Sequence, residues 1–418
     1  MTAGGGQRAV AGQQLLDPVA VTVVDHEGHP VSGIGVDWSI VEDSDVVEPD
    51  HSVTDSIGIA KTAWTLGPLP GEHTLIASVA GYGAVTVSAN ADPAPLMLNS
   101  VHLLRLETPD GSGQTVHPDF ANITTPGPLQ SYFLGISAYP LGNFEYENPS
   151  VYTSLDLVHW NPPDSATNPV AFPQHGYLSD PDIVFNPATQ ELWMYYRQVD
   201  VLNEIMLTRT SDGVRWSEPE LMTNGLNHTV VSHSVVRRDD NDWLMWSVNG
   251  QAGCTAADTW VELRRSQDGR NWSAPERVQL SQPGFTPWHI DVQWIPSVSQ
   301  YWAVYNVKTP ESCATPALYL ATSTDGVRWT TYPSPVLVRG DIDAFSDIVY
   351  RSTFRYRPET DVITFWYSGA RYDGARYVWQ SAVQRRPRAD VFAAISRPPS
   401  RTFAARIGRH VVRLLDPP

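Results

Sequence analysis

The sequence predicts an all-β protein in two parts: a small β-sandwich over residues 1–92 and a five-bladed β-propeller over 97–395, with a basic tail over 396–418. Three observations carry this. Near-identical segments, TSDGVRW, SQDGRNW and STDGVRW, close on Trp216, Trp272 and Trp329, which lie 56 and 57 residues apart, and a fixed period of that size marks a repeat architecture. Between them recur runs rich in Val, Ile, Tyr and Trp, such as WLMWSVN, YWAVYNV and VITFWYSG, punctuated by Asn, Pro, Asp and Gly, as in short antiparallel strands. The first 92 residues lack the period and instead alternate short strands with closely spaced turn signals, which suits a sandwich.

In the first part, VDHEGHPV (24–31), Thr54-Asp55 with Gly58-Ile59-Ala60, and Pro70-Gly71 carry the turn pattern. Across the whole segment this resembles the bacterial Ig-like domains of the invasin/intimin type. The resemblance implies a spacer or stalk on a secreted protein, extracellular or at the bacterial cell surface, with self-association or envelope contact through this domain or the tail. No convergent polar cluster stands in it. ANADPAPL (89–96) reads as a linker. The opening MTAGGGQRAVAG lacks an apolar signal core, so the expectation is either a trimmed signal or export by another route.

In the second part, a step of 56 residues back from Trp216 reaches Trp160, with Asp156 in the place of Asp212, Asp268 and Asp325. A step forward from Trp329 reaches the region of Ser381, where Asp, Gly and Trp are lost. Four clear units and one degenerate unit, at four strands each, give five blades. Within each turn the Asp accepts backbone N–H bonds, the Gly supplies positive φ and the Trp covers the blade beyond. The pattern resembles the Asp-box of sialidases and other propellers, one residue shorter between Asp and Gly, and its role is structural. Cys254 and Cys313 each follow the aromatic strand of their own unit, so the loops of adjacent blades would bring them together as a disulfide, which implies an oxidising compartment. In the tail, Phe403, Ile407, Val411 and Leu414 fall at helical spacing, and from Arg385 onward eight Arg face Asp390 and Asp416. A short helix docking on the acidic propeller is the expectation, with a partner contact as the rival.

The formal net charge is −17, with 34 Pro and 15 Trp. Such a chain has no basic face to displace counterions, which excludes nucleic acid as a partner. No apolar run is long enough to span a membrane as a helix. Acidic, aromatic and rich in loops, the composition suits neutral polar ligands.

A propeller places its site where the innermost strands meet the axis. Aligned by their apolar steps, VHPDFAN, LSDPDIVF, VSHSVV, WHIDVQW and AFSDIVY put Asp119, Asp182, Ser234, Asp291 and Asp347 in one column. Two residues earlier on the same face stand His117, Asp180, Ser232, His289 and Phe345. Carboxylates this crowded must take raised pKa values, accept N–H bonds, pair with arginine or share a cation. Arg351 is a candidate partner, and calcium in the channel, on Asp182, Asp291 and Asp347, is a candidate ion. The plainer role for each Asp is to cap the neighbouring blade.

These blades resemble the five-bladed propeller glycosidases, such as the family 43 arabinanases and xylosidases and the related family 32 enzymes, in architecture and blade motifs. The resemblance implies a general-base Asp on the first blade, filled by Asp119, and a pKa-tuning Asp on the second, filled by Asp180 or Asp182. It also implies a general-acid Glu on the third, where VVSHSVV offers none. Two opposed carboxyls are what glycoside hydrolysis needs. Glu147 in YENP is the substitute, ahead of Glu204 and Glu262. His117, Trp288, His289, Asp291, Asp347, Arg351 and Tyr367 are the expected sugar contacts, with Trp288 the foremost aromatic platform. The expected function is a secreted glycan-active protein, handling a polysaccharide or surface glycan. The rival is a non-catalytic structural or adhesive module that kept the propeller without its acid.

Overall fold

The computed structural model describes residues 3–41, 44–92, 96–123, 132–201, 203–226 and 229–399. The chain forms two compact units, Met1–Leu96 and Met97–Pro418. Both are built from strands, and the protein is all-β as the sequence predicts. The predicted helix of the tail, with Phe403, Ile407, Val411 and Leu414, lies outside the described residues.

In the first unit, one sheet runs in the order Arg8–Val10, Gly83–Asp92, Gly71–Val79, Gly35–Ile40, His51–Val53, and a second in the order Val19–Thr22, Ile59–Thr65, Val46–Glu48. The strand IAKTAWT alternates buried and exposed positions, so Ala60, Thr62 and Trp64 point inward. Trp38, Trp64, Val36, Leu75 and Val87 fill one core. The motif at Thr54-Asp55 is a turn in which Asp55 Oδ1 accepts the N–H groups of Ile57 and Ile59. Gly58 there has φ +72°, and a Cβ would stand 2.9 Å from the Val23 carbonyl.

In the second unit, successive antiparallel sheets form the blades. The innermost strands are Thr115–Asn122, Tyr177–Asn186, Val230–Asp239 and Thr286–Ile295, with Ile348–Val349 and Thr353–Arg357 sharing that place in the fifth blade. Blade five is completed by Val101–Leu103, which pairs with Tyr377–Pro387, so the start of the unit closes its end. A short helix, Arg388–Ile395, was not foreseen; its Val391 and Ile395 are buried against blades four and five.

The repeated turns are structural. Asp156, Asp212, Asp268 and Asp325 each accept two successive backbone N–H groups at 2.8–2.9 Å. The Gly place has positive φ at Gly213, Gly269 and Gly326, and in blade one Leu157 takes the same conformation at φ 69°. Each turn seals the blade before it: Tyr195 Oη donates to the Gly269 carbonyl and Trp246 Nε1 to that of Gly326. Cys254 and Cys313 form a disulfide across 59 residues, joining blades three and four.

Candidate functional site

The inner strands share a bulge near their beginning. The ladder slips between Val116 and Asp119, between Ser179 and Asp182, between Val231 and Ser234, and between Pro287 and His289. His117, Asp180 and Ser232 take positive φ of 52–58° there. Bulges re-aim a side chain out of the pleat, and these aim at the axis.

In blade five the bulge falls between Val349 and Thr353, because Val349 pairs with Gly369 and Thr353 with Trp366. This corrects the predicted register. Tyr350, Arg351 and Thr353, not Phe345 and Asp347, occupy the fifth place, six residues further on. Phe345 is core, and Asp347 is partly exposed, accepting the Ser346 hydroxyl and the Tyr372 N–H. AFSDIVY has the same apolar step as the true inner strand, so the step alone selects the wrong segment.

Two layers of side chains result. In the first, His117, Asp180 and His289 each bring a ligand atom within 4.8 Å of the others. Asp180 Oδ1 lies 3.4 Å from His117 Nε2 and 3.5 Å from His289 Nδ1. All three residues are buried, and Asp180 Oδ1 and both nitrogens of each imidazole make no hydrogen bond among the described residues. The other carboxylate oxygen is anchored: Asp180 Oδ2 accepts from Ser179 Oγ at 3.1 Å and lies 3.3 Å from Arg197 Nε. Burial pushes the His117 imidazole down to about 3 and that of His289 well below its usual value, so both are neutral. Burial opposes ionisation of Asp180, but its electrostatic neighbours, His117 first and then Arg197, hold it well below the ordinary carboxylate range. The guanidinium groups of Arg197 and Arg351 both act in that direction.

Around this layer stand further groups. Glu147 Oε1 is 3.8 Å from His117 Nδ1, and burial, then Asp180, raise its carboxyl well above the usual range. The Tyr350 ring stacks on His117 at 5.3 Å and meets His289 at 4.3 Å. Trp288 hydrogen-bonds the Tyr350 hydroxyl, which burial keeps protonated.

The second layer lies two residues on. Asp119, Asp182 and Asp291 gather within 4.8 Å and are buried. Asp119 Oδ2 accepts the Ile183 N–H at 2.6 Å, Asp182 Oδ2 that of Val235 at 3.0 Å, and Ser234 Oγ that of Val292 at 2.9 Å. Asp291 accepts the Thr353 hydroxyl at 3.0 Å. Each member thus latches the next blade. Burial raises all three carboxyls, and mutual repulsion adds to it at Asp182 and Asp291. Arg351 runs between the layers, 3.8 Å from Asp180 and 3.5 Å from Asp182, and donates to the Pro181 and His233 carbonyls.

The structure therefore gathers His117, Asp180, His289, Glu147, Arg351 and, a layer deeper, Asp119, Asp182 and Asp291. It corrects the expected calcium set, since Asp119 stands with Asp182 and Asp291 where Asp347 was placed. Tyr367, expected to touch sugar, is blade packing: fully buried, stacked on Phe365, its hydroxyl bonded to Gln384. Trp288 is buried beside His289 and serves as wall, not as an open platform. Glu204 and Glu262 bond within their own blades, to Gln198 and Asn249. Arg197 escaped sequence reasoning; its signal is the one positive charge in the largely apolar strand ELWMYYRQV.

Fold and site together define a five-bladed propeller with a buried two-histidine, one-carboxylate cluster on its axis. No family model matches the chain. It is 28% identical over 321 residues to the A type blood N-acetyl-alpha-D-galactosamine deacetylase of Flavonifractor plautii, covering 65% of this chain and 40% of that protein. The chain thus spans about two fifths of that relative's length. Among solved structures, an N-acetylgalactosamine deacetylase from F. plautii, in complex with blood group B trisaccharide, superposes with a TM-score of 0.64 at 22% identity, covering 72% of this chain and 95% of that one. A GH62 hydrolase in complex with xylotriose superposes with a TM-score of 0.51 at 14% identity, covering 70% and 94%. These structural likenesses concern the fold.

Proposed function

We propose that the protein is a metal-dependent glycan deacetylase, which hydrolyses the N-acetyl group of an amino sugar. The observation that carries this is the convergence of two neutral imidazoles and one anchored carboxylate whose ligand atoms are buried without hydrogen bonds. Buried polar atoms without partners call for an explanation, and neutral His with ionised Asp is the protonation state that metal ligation requires. Two His and one carboxylate suit a divalent transition cation. His117, Asp180 and His289 would hold it, with Ser179 and Arg197 fixing the carboxylate from behind, as outer partners of metal ligands do. Likeness to a deacetylase supports the reaction class, as does the inner strand of blade three, where VVSHSVV offers no Glu for glycosidic cleavage.

When bound, the cation would polarise the amide carbonyl and make the attacking water acidic. The chain's own residues do the rest. Tyr350, whose oxygen is engaged by Trp288, directs its hydroxyl proton to the carbonyl oxygen as charge develops there. Glu147 takes the proton from water and returns it to the nitrogen as the C–N bond breaks, releasing acetate and a free amine. Burial, which raises its carboxyl, makes it the stronger proton acceptor. Asp119, Asp182 and Asp291 hold the blades around this centre. We further read the first 92 residues as an Ig-like spacer of an extracellular or cell-surface protein, a reading the disulfide supports.

The test is acetate release from glycans ending in N-acetylgalactosamine, with reducing-sugar release measured alongside. Chelation should abolish acetate release, and Mn²⁺ or Zn²⁺ should restore it. His117→Ala, His289→Ala and Asp180→Asn should each weaken metal binding by calorimetry at least 10-fold. Activity that survives chelation, or release of sugar instead of acetate, would overturn the proposal.

A further inference from the structure

We infer that Phe144 and Tyr146 form a stacking platform for the sugar next to the reacting one, so that the protein takes an oligosaccharide rather than a free amino sugar. This rests on the deacetylase reading of the axial cluster.

Among the described residues, the exposed aromatic side chains of the propeller unit are Phe144, Tyr146, Phe172 and Tyr372. All four lie at one end of the blades. Phe144 and Tyr146 stand between the second and third strands of blade one, Phe172 before the inner strand of blade two, and Tyr372 at the end of the second strand of blade five. That is the end where the inner strands begin, and His117, Asp180 and His289 stand near those beginnings. At the other end, the hairpins NPATQE (186–191), DDND (239–242) and RPETDV (357–362) carry no aromatic residue, and the Trp residues of the repeated turns are packed on the blades.

Phe144 is 37% and Tyr146 45% exposed, yet their turn is not loose. Asn143 caps it through the Glu145 N–H, and the next residue is the buried Glu147. The Phe144 ring packs on Tyr177 at 4.8 Å, and the Arg197 guanidinium lies 5.9 Å from the Tyr177 centroid. Arg197 in turn grips Asp180. These contacts tie the Phe144 ring to the ligand carboxylate, and Tyr146 stands in the same turn, next in the chain to the acid–base group Glu147. Rigid aromatic rings give large contact area at low entropic cost, and the apolar face of a pyranose is the surface that such rings cover. Because Tyr146 adjoins Glu147 in the chain, a sugar stacked there would be the neighbour of one held at Glu147.

The experiment compares free N-acetylgalactosamine with the blood group A trisaccharide, by calorimetric affinity and by acetate release, in wild type, Tyr146→Ala, Phe144→Ala/Tyr146→Ala and the ring-conserving Tyr146→Phe. Wild type should favour the trisaccharide about 10-fold, the alanine variants should lose most of that preference, and Tyr146→Phe should keep it. Thermal unfolding of each variant separates lost binding from lost folding. Acetate release with an unchanged preference in the folded double variant overturns the platform and leaves the deacetylase reading standing. Loss of trisaccharide binding in the alanine variants, in a protein that releases no acetate, upholds the platform and overturns the deacetylase reading. No binding and no release overturns both.

Discussion

Asp268 shows how a residue that looks chemical is structural. Its Oδ1 accepts the N–H groups of Arg270 and Asn271 and the hydroxyl of Ser266. Burial is the largest single influence and opposes ionisation, but the backbone N–H bonds of Asn271 and Arg270, with the side chains of Asn271 and Ser266, together outweigh it and bring the carboxyl down to about 2. A carboxyl whose folded value lies below its unfolded one stabilises the fold above the unfolded value, near 4, and loses that contribution as pH falls through the folded one. Urea unfolding between pH 5 and pH 2 should therefore show wild type losing stability on acidification more steeply than Asp268→Asn. Equal slopes would mean that the carboxylate has no preference for the folded state. Local bonding of this kind is legible in sequence because it is completed within four residues of Asp268.

Inner strands are the elements that decide the site, and there the sequence was readable in four blades of five. In those four, a polar residue falls two places before the latch residue, and each inner strand stands a fixed order of motifs away from the repeated turn of its own blade. Blade five lacks the turn motif, leaving AFSDIVY and RSTFRYR as rival segments of similar pattern. Pairing of Thr353 with Trp366 settles it, since register is set by partners across the sheet, which the sequence does not display. The two registers differ in a measurable way. Arg351→Ala should destabilise the propeller by about 3–5 kcal/mol, since it strips a buried guanidinium from Asp180 and Asp182. Asp347→Asn should change stability by less than about 0.5 kcal/mol, as surface substitutions generally do. Chemical denaturation of both variants checks this, and the reverse order would restore the register read from sequence.

For the molecule as a whole, two compact units with separate cores, one around Trp38 and Trp64 and the others between blades, should melt as two events. Calorimetry of the full chain should resolve a smaller transition of about 65 kcal/mol, from about 0.7 kcal/mol per residue over the first unit. A chain starting at Met97 should lack it and keep the metal affinity of the full protein. Loss of affinity in that truncation would give the first unit a part in the site.

By itself the sequence determined the strands, the five-fold period, the turns and the pairing of Cys254 with Cys313, because each follows from contacts local in the chain or repeated along it. It also brought His117, Asp180 and His289 to one face, since equivalent positions of a repeat share an axis. Only the tertiary structure separated them from Asp119, Asp182 and Asp291. A bulge at the start of each inner strand turns the first set inward with free ligand atoms, while the second set is spent on the N–H groups of the next blade. The approach of Arg197, Tyr350 and Glu147 is likewise a tertiary outcome, since these residues reach the axis from the second strand of blade two, the bulge of blade five and a turn of blade one. Such groups share no period, so only closing the ring brings them together.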